Sequence, residues 1–338
     1  MSHTFREGDF IESLEGLIFD VKGLIHPPDR VVAFVRYIPD IQGSRARNGK
    51  RFRKIYELDD RYRFLASHYP NYLVHDPVFD EDLNEVPISR LLKSYRPLEK
   101  THALVLSTTR TTLEQKTLEM IETLSSSSGV SVEDFGTSGS ILVELAAVTS
   151  DIDIVIYGSE KCKAVRKSLQ KLMTEREVFQ PFDEPTILGL YKTRHRETGI
   201  SLRDYVRSEA RKDIQGRFHS TDFFFRYVKD RSELEETYGS TIFEKVGFGK
   251  IEGIISDDRE AIFTPCEYLL ENARIVEGPK VEPLTEIVSF RGQFCEQARM
   301  GERIVAQGKI ERKTTGDKVS YRLVLGNTRR DYMIVTTQ

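Results

Sequence analysis

The sequence predicts an α+β protein that is built from several modules. Its apolar residues alternate with a period of two near the N-terminus, change to a helical period from about residue 111, and return to short alternating runs after about residue 247. A chain of 338 residues is also too long for one ordinary hydrophobic core. We therefore predict an N-terminal mixed α/β module over residues 1–100, a central core over 101–240 and a C-terminal module resembling a small β-barrel over 241–338.

The composition is typical of a soluble globular protein, with 39% hydrophobic and 30% charged residues. No apolar run approaches the roughly 18 residues of a transmembrane helix, and the N-terminus does not have the pattern of a signal peptide. We therefore predict no membrane partner. The three cysteines, Cys162, Cys266 and Cys295, form no CxxC pair, which indicates a reduced cytoplasm and argues against a zinc knuckle.

The N-terminal third begins with strands. Two or three are predicted over residues 9–38, with a hairpin turn at Gly16 between alternating apolar runs. Residues 57–70 have helical spacing and end at Pro70. Residues 75–97 are rich in proline and acidic residues, and they predict a connecting segment with a short helix near Ser89–Tyr95.

A strongly basic loop lies between those strands and that helix. It has six cations in ten positions, with Phe52 among them and Tyr56 just beyond: Arg45, Arg47, Lys50, Arg51, Arg53 and Lys54. Cations bind phosphates and aromatic rings stack on bases, so Arg51, Arg53 and Lys54 are candidates for binding nucleic acid. The alternative is a solvated loop whose charge balances the acidic stretch Asp76–Glu85.

The central third is predicted to alternate helices with strands. The predicted elements, in chain order, are a helix that begins after Thr111-Thr112 and ends at Gly129, a short helix over Ile141–Ala147, a strand over Asp151–Tyr157, an amphipathic helix over residues 160–174, and a further helix over residues 231–244.

The most informative segment of this third joins a Gly-Ser turn to an acidic strand. Gly139 and Ser140 precede the run Asp151-Ile152-Asp153 by about ten residues. On a strand, alternate residues share a face, so the two carboxylates lie about 7 Å apart on one side. Such a pair attracts a hard divalent cation with oxygen ligands, Mg²⁺ above all, and a glycine turn with a hydroxyl suits a phosphate tail. The alternative is two solvated aspartates at a strand end.

This spacing resembles the signature of the DNA polymerase β-like nucleotidyltransferase superfamily. The residues that carry the resemblance are Gly139, Ser140, Asp151, Ile152, Asp153 and Ile154, and it covers about residues 105–230. The whole chain is also similar to an archaeal group of predicted nucleotidyltransferases. The resemblance implies a polymerase β-like core, Mg²⁺ or alternatively Mn²⁺ as cofactor, an NTP substrate, and a phosphate site at Gly139 and Ser140.

The family also places a third carboxylate on a neighbouring strand. The candidate is Asp222, in a strand-like run that is apolar on both faces, where an unpaired carboxylate is costly to bury. Asp151, Asp153 and Asp222 are then the predicted catalytic and metal-binding set. Arg226 shares the face of Asp222 and is a candidate for binding nucleotide phosphate. The alternative is that Asp222 only begins the strand.

Two further basic regions are relevant to the prediction of a polyanionic binding partner. Lys192, Arg194, His195 and Arg196 form a short cluster, although acidic neighbours explain much of it as surface ion pairing. After about residue 247, short alternating strands recur with basic residues from Arg303 onward. They predict a small barrel, OB-like in type, that suits a polyanion, although a fold does not establish a function.

We therefore predict a cytoplasmic, Mg²⁺-dependent nucleotidyltransferase that transfers a nucleoside monophosphate from an NTP to a hydroxyl acceptor, the end of an RNA. Two alternatives stay open: AMP transfer to a protein side chain, and RNA binding without catalysis on an enzyme-like core. The sequence leaves the oligomeric state and the acceptor open.

Overall fold

In a computed structural model, residues 5–194 and 200–336 are described. The chain has 28% helix and 39% strand, which confirms the predicted α+β class. The helices are α1 (Leu58–His68), α2 (Pro97–Leu106), α3 (Thr112–Ser128), α4 (Gly139–Leu142), α5 (Ser159–Glu175), α6 (Glu184–Arg194) and α7 (Leu202–Glu209). Among the described residues, none of the helices has the length and apolar character needed to span a membrane.

The chain divides into two compact units. Unit one comprises Met1–Asp76, Asp82–Gln180 and Gly216–Tyr238, and unit two comprises Pro77–Glu81, Pro181–Gln215 and Gly239–Gln338. The segments predicted as an N-terminal module and as a central core therefore lie mostly in one unit. The three-domain division itself stays a prediction.

Unit one begins with a mostly antiparallel sheet. Its strands are β1 (Phe10–Ser13), β2 (Ile18–Val21), β3 (Arg30–Pro39), β4 (Arg45–Arg47), β5 (Lys50–Lys54), β6 (Leu73–Asp76), β7 (Glu81–Pro87) and β8 (Leu91–Tyr95). They run in the order β4-β5-β3-β2-β1-β8, with β7 paired to β3 and to β6. The predicted hairpin at Gly16 joins β1 to β2, and Gly16 has the positive φ of 81° that favours glycine in such a turn. The basic loop forms the β4–β5 hairpin.

A β-bulge in β3 affects the position of the site. Ile18 of β2 lies opposite Tyr37, but the next residue, Phe19, lies opposite Val35, so Arg36 is an extra residue in the pairing. A bulge re-aims the side chains around it. This explains how the consecutive residues Arg36 and Tyr37 both line the same cleft.

The second sheet of unit one carries the Gly-Ser turn and the acidic strand. Its strands are β9 (Phe135–Thr137), β10 (Ile152–Tyr157), β11 (Phe179–Gln180), β12 (Gln215–Phe218) and β13 (Thr221–Val228), in the order β11-β12-β13-β10-β9. β10 and β13 are parallel, and the inward residues of both strands, such as Ile154 and Phe225, are almost fully buried. The predicted helices over α3 and α5 are confirmed, and Thr111 closes a capping box with Glu114 at the start of α3.

Three local predictions are wrong. The segment near Ser89–Tyr95 is mainly strand β8, because it pairs with β1 and tertiary pairing overrides local preference. The helix over residues 231–244 is limited to a 3₁₀ turn at Arg231–Glu233, since the chain enters a long strand at Thr241. The helix over Ile141–Ala147 is the shorter α4, which ends at Leu142.

Unit two contains a six-stranded sheet in which five strands form a closed circuit of pairings. Its strands are β14 (Thr241–Asp257), β15 (Cys266–Glu277), β16 (Leu284–Ser289), β17 (Arg303–Thr315), β18 (Lys318–Leu325) and β19 (Tyr332–Val335). They run in the order β14-β15-β16-β18-β17-β19, and the 17-residue strand β14 also pairs with β17. The C-terminal strands predicted from the sequence are therefore present and form a barrel-like sheet, although β14, β15 and β17 are longer than the short strands predicted.

Candidate functional site

A cleft in unit one brings the two halves of the sequence motif together. It contains about 410 Å³ free of protein atoms, part of which is open to solvent. One wall comes from the first sheet: Phe10, Asp20, Arg36, Tyr37 and Lys54. The other wall comes from the Gly-Ser turn and from β10 and β13: Ser138, Gly139, Ser140, Asp153, Ile154, Val155, Phe224 and Arg226.

Gly139 lies directly against the carboxylate of Asp153. A Cβ at position 139 would lie 2.6 Å from Cγ of Asp153, and closer still to a carboxylate oxygen. Gly139 also has a φ of 59°, a left-handed conformation that other residues adopt at a cost. The backbone N–H of Ser138 donates to the carbonyl of Asp153 at 2.8 Å, which fixes the turn to the strand. Only glycine therefore allows the turn to approach this acid so closely.

The serine that follows the glycine is buried with its hydroxyl unused. Ser140 is 3% exposed and lines the cleft, and within the described residues its Oγ has no hydrogen-bond partner. The hydroxyl of Ser138, in contrast, donates to the carbonyl of Gly8 at 2.8 Å. A buried hydroxyl without a partner is costly, so the Ser140 hydroxyl is well suited to meet a ligand.

The two acidic residues of the motif are close enough to perturb each other. Burial, and after it the charge of Asp151, raise the pKa of Asp153 to about 7, against the lowering effects of Arg226, Lys54 and Arg36. Asp151 is exposed. Across residues 5–194 and 200–336, neither carboxylate has an ion-pair partner within 4.0 Å or a hydrogen bond. The pair therefore needs more positive charge than the protein places in contact with it.

Asp222 lies on the neighbouring strand but does not line the cleft. The parallel register places Phe223 beside Ile152 and Phe224 beside Asp153, so Asp222, one residue before Phe223 near the start of β13, is level with Asp151. Its carboxylate instead pairs with Arg217 at 3.1 Å. No group of three His, Cys, Asp or Glu side chains in the described part of the chain is arranged to hold a metal ion. The three predicted carboxylates therefore lie at the starts of two neighbouring strands without being arranged as a metal site, and the role of Asp222 stays a prediction.

Arg226 lines the cleft but is already engaged. Its Nη1 lies 2.7 Å from Glu7 and 3.3 Å from Asp20, and Lys22 pairs with both acids, at 3.0 Å and 2.8 Å. Burial disfavours the charge of Arg226, but Asp20 and Glu7 hold its pKa above the ordinary value. Burial would likewise raise the pKa of Asp20, but Lys22 and Arg226 keep it well below its usual range. This buried network holds Arg226 in place.

Apart from Lys54, which was predicted to bind nucleic acid, the sequence did not identify the first wall of the cleft. Asp20 interrupts an otherwise apolar strand, and an acid in that position indicates a buried partner or a site. Arg36 and Tyr37 gave no comparable signal, because both residues line the cleft only as a result of the bulge in β3.

The basic loop divides into residues with different surroundings. Lys54 lines the cleft, and burial together with the like charge of Arg36 lowers its pKa to about 8, while Asp151 and Asp153 oppose that shift. Arg53 pairs with Asp40 at 2.8 Å. Arg51 and Lys50 are exposed, and Nε of Arg51 donates to the carbonyl of Gly43 at 2.9 Å. The three predicted nucleic-acid-binding residues therefore do not form one surface group.

Two other cations of the loop hold the chain that follows the Gly-Ser turn. Arg45 donates to the carbonyl of Leu145 at 3.2 Å and to Oγ of Ser150 at 2.9 Å. Arg47 donates to the carbonyl of Val143 at 3.1 Å and pairs with Glu12 at 2.8 Å. These arginines fix the β4–β5 hairpin to the segment between the turn and the acidic strand.

Several of the C-terminal cations are also paired, within unit two. Arg312 lies 2.9 Å from Glu244, Lys313 lies 3.2 Å from Glu286, and Arg322 lies 2.8 Å from Glu311. Lys309 pairs with Glu81 and Glu311. The basic composition of this end therefore overstates the positive charge that it offers to a partner. In the cluster near residue 194, the side chains of Arg194, His195 and Arg196 lie outside the described residues.

The fold and the site together define a mixed α+β protein in which a Gly-Ser turn closes on an acidic parallel strand beneath a second, antiparallel sheet. The chain is 30% identical over 336 residues, covering 96% of each sequence, to MJ1086, an uncharacterized protein of Methanocaldococcus jannaschii, and it belongs to the same family. No protein-family model matches the chain. No solved structure matches it either.

Proposed function

We propose that this protein is a Mg²⁺-dependent nucleotidyltransferase that transfers a nucleoside monophosphate from an NTP to a hydroxyl acceptor. The observation that carries the proposal is the contact between Gly139 and Asp153. A turn with an unused buried hydroxyl, at Ser140, meets a pair of carboxylates that lack a cationic contact. A phosphate group and a divalent cation together complement both features.

Asp151 and Asp153 are the residues that would hold the cation. Mg²⁺ is bound in proteins by one or two carboxylates together with substrate phosphates, so two acids suffice and Asp222 is not required. Mn²⁺ accepts the same oxygen ligands. When bound, the ion would neutralise charge that develops on the phosphates during transfer.

The protein's own residues would position the phosphates. Gly139 allows the backbone to approach closely, and the hydroxyl of Ser140 can donate to a phosphate oxygen. Arg226 contributes positive charge beside Asp153, but Glu7 and Asp20 hold its guanidinium in place. We therefore assign Arg226 to positioning and to the electrostatics of the cleft.

We further propose that the acceptor is the end of an RNA. Lys50 and Arg51 are exposed at the tip of the hairpin whose other end, Lys54, lies in the cleft. Unit two supports the same acceptor, since five of its strands form a closed circuit of pairings like that of a small Greek-key barrel of OB type, which often binds single strands. That likeness alone does not establish binding.

The decisive experiment incubates the purified protein with each labelled NTP and total RNA, in Mg²⁺ and in EDTA. We expect Mg²⁺-dependent label on RNA that is lost in Asp153→Asn. Ser140→Ala should raise the KM for the NTP more than it lowers kcat, because its hydroxyl would contact the ground state as well as the transition state. Label that persists in EDTA, or equal activity of Asp153→Asn, would refute the proposal.

The alternative acceptor is a hydroxyl side chain of a protein. Transfer of label to protein, with none to RNA, would select this alternative.

A further inference from the structure

An exposed aromatic ring lies beside two cations of the cleft. Tyr56 is 59% exposed. The Nζ of Lys54 lies 4.9 Å from its ring centroid, and Cζ of Arg36 lies 5.7 Å from it. Lys54 and Arg36 both line the cleft that contains Asp153. The cluster of Arg36, Lys54 and Tyr56, here called the aromatic–cation cluster, therefore joins the cleft to solvent.

The backbone explains why these three side chains meet. The N–H of Ile55 donates to the carbonyl of Arg36 at 2.9 Å, and the Ile55 side chain is buried in the core of the first sheet. Lys54 and Tyr56, on either side of it, therefore turn the other way. The bulge in β3 brings Arg36 to the same side.

The two cations of this cluster differ from Arg226 in having no acid in contact. Within the described ranges, neither Lys54 nor Arg36 forms an ion pair within 4.0 Å. The lowered pKa of Lys54, which results from burial and from the like charge of Arg36, agrees with an excess of positive charge at this point. A half-buried cation pair next to an exposed ring has the composition of a site for an anionic aromatic ligand.

We propose that the aromatic–cation cluster binds a phosphorylated nucleoside, with the ring of Tyr56 stacked on the base and with Lys54 and Arg36 on the phosphate. This inference rests on the proposed function, and it names the residues of the first sheet that would recognise the nucleotide. The shared chemistry is that of an NTP and of the terminal nucleotide of an RNA. Stacking on an aromatic ring tolerates any base, so the cluster should not select among the four bases.

The absence of tryptophan from the sequence gives a direct test. Tyr56→Trp introduces a single tryptophan whose fluorescence a stacked base should quench. Leu106→Trp is the matched control, because Leu106 is 69% exposed at the end of α2 and does not line the cleft. The probes are ATP, UTP, inorganic triphosphate and a short single-stranded oligoribonucleotide, each titrated in the presence of Mg²⁺.

We expect saturable quenching of Tyr56→Trp by ATP and UTP alike, by the oligoribonucleotide, or by all three, and none of Leu106→Trp; quenching by only one of the two nucleotides would contradict a base-tolerant stacking site. Quenching by the nucleotides alone assigns the cluster to the NTP, and quenching by the oligoribonucleotide alone assigns it to the acceptor end. Calorimetry of the variants adds a second measurement. Tyr56→Ala should weaken binding of the same probe by about 5-fold or more, whereas Tyr56→Phe, which keeps the ring, should bind as the wild type does.

The outcomes separate this inference from the proposed function. Equal quenching by inorganic triphosphate, or unchanged binding in Tyr56→Ala, would overturn the stacking site even if the wild type transfers nucleotides. Conversely, quenching by ATP in a protein that transfers no label would support the site and refute the enzyme.

Discussion

At the scale of single residues, Gly139 is the position at which one methyl group should matter most. Its Cβ would overlap the carboxylate of Asp153, and its φ of 59° adds strain. We expect Gly139→Ala to abolish nucleotide transfer and to lower the free energy of unfolding by more than the roughly 1 kcal/mol of a left-handed alanine. Transfer assays and urea unfolding measure the two effects.

Gly129 provides the matched control for that variant. It has a φ of 74° at the end of α3, and no atom lies within 4 Å of the position that a Cβ would take there. Gly129→Ala should therefore show the strain alone, with a similar backbone cost and normal activity. If the two variants behaved alike, the close approach at Gly139 would have no functional meaning.

The carboxyl of Asp153 should make the metal-free protein less stable as the pH rises. Its pKa is about 7 in the folded protein against an ordinary value of 3.8, so between those values the folded state keeps a proton that the unfolded state has lost. We expect the free energy of unfolding in EDTA to fall across this range. Asp153→Asn should lack the part of this fall that comes from the Asp153 carboxyl, and it should be more stable than the wild type at about pH 8.

Denaturant unfolding at several pH values measures this difference. The comparison with Asp153→Asn is needed because burial also raises the pKa of Asp9 to about 6 and of Glu85 to about 8. Both groups remain in the variant and cancel in the difference. A pH dependence unchanged by the substitution would contradict the perturbed carboxyl.

At the scale of elements, the sequence predicted those whose pattern is local. Thr111 and Glu114 form the capping box that begins α3, and the predicted acidic strand is β10, which contains Asp153 and begins directly after Asp151. The prediction failed where long-range pairing decides, as in β8, which is a strand because it lies beside β1. The same reason applies to the cleft. The motif located Gly139, Ser140 and Asp153. In the opposite wall, Asp20 gave a local signal as an acid in an apolar strand, but the positions of Arg36 and Tyr37 depend on sheet pairing and a bulge that no local pattern shows.

In the β4–β5 hairpin, two arginines should contribute different amounts to the free energy of unfolding. The side chain of Arg47 is 10% exposed and pairs with the buried Glu12, whereas that of Arg53 is 55% exposed and pairs with Asp40 near the surface. Removing Arg47 leaves a buried carboxylate unpaired, so Arg47→Ala should cost about 3–5 kcal/mol. Arg53→Ala should cost less than about 1 kcal/mol. Chemical denaturation of both variants tests this, and equal costs would contradict the structural role of Arg47.

At the scale of the whole molecule, the question is which cations remain for a polyanion. The formal net charge is −3, and much of the basic sequence forms ion pairs, as in the strands of unit two. Arg45 and Arg47 hold the chain after the Gly-Ser turn. Among the described residues, Lys50 and Arg51 are exposed cations with no ion pair within 4.0 Å, and they lie on the hairpin whose other end reaches the cleft, so we expect them to contribute to RNA affinity.

RNA affinity should therefore fall with salt, and the hairpin tip should account for a defined part of that dependence. Each phosphate contact of a single strand contributes about −0.7 to the slope of log affinity against log salt. Replacing both Lys50 and Arg51 by glutamine should flatten the slope by about 1.4, since their charges face solvent. The double change Arg312→Gln and Lys313→Gln is the control, because Glu244 and Glu286 already neutralise those residues, and it should leave the slope unchanged. A slope unchanged by the Lys50 and Arg51 double variant would exclude the hairpin from the interface, and an absence of RNA binding would favour the protein acceptor.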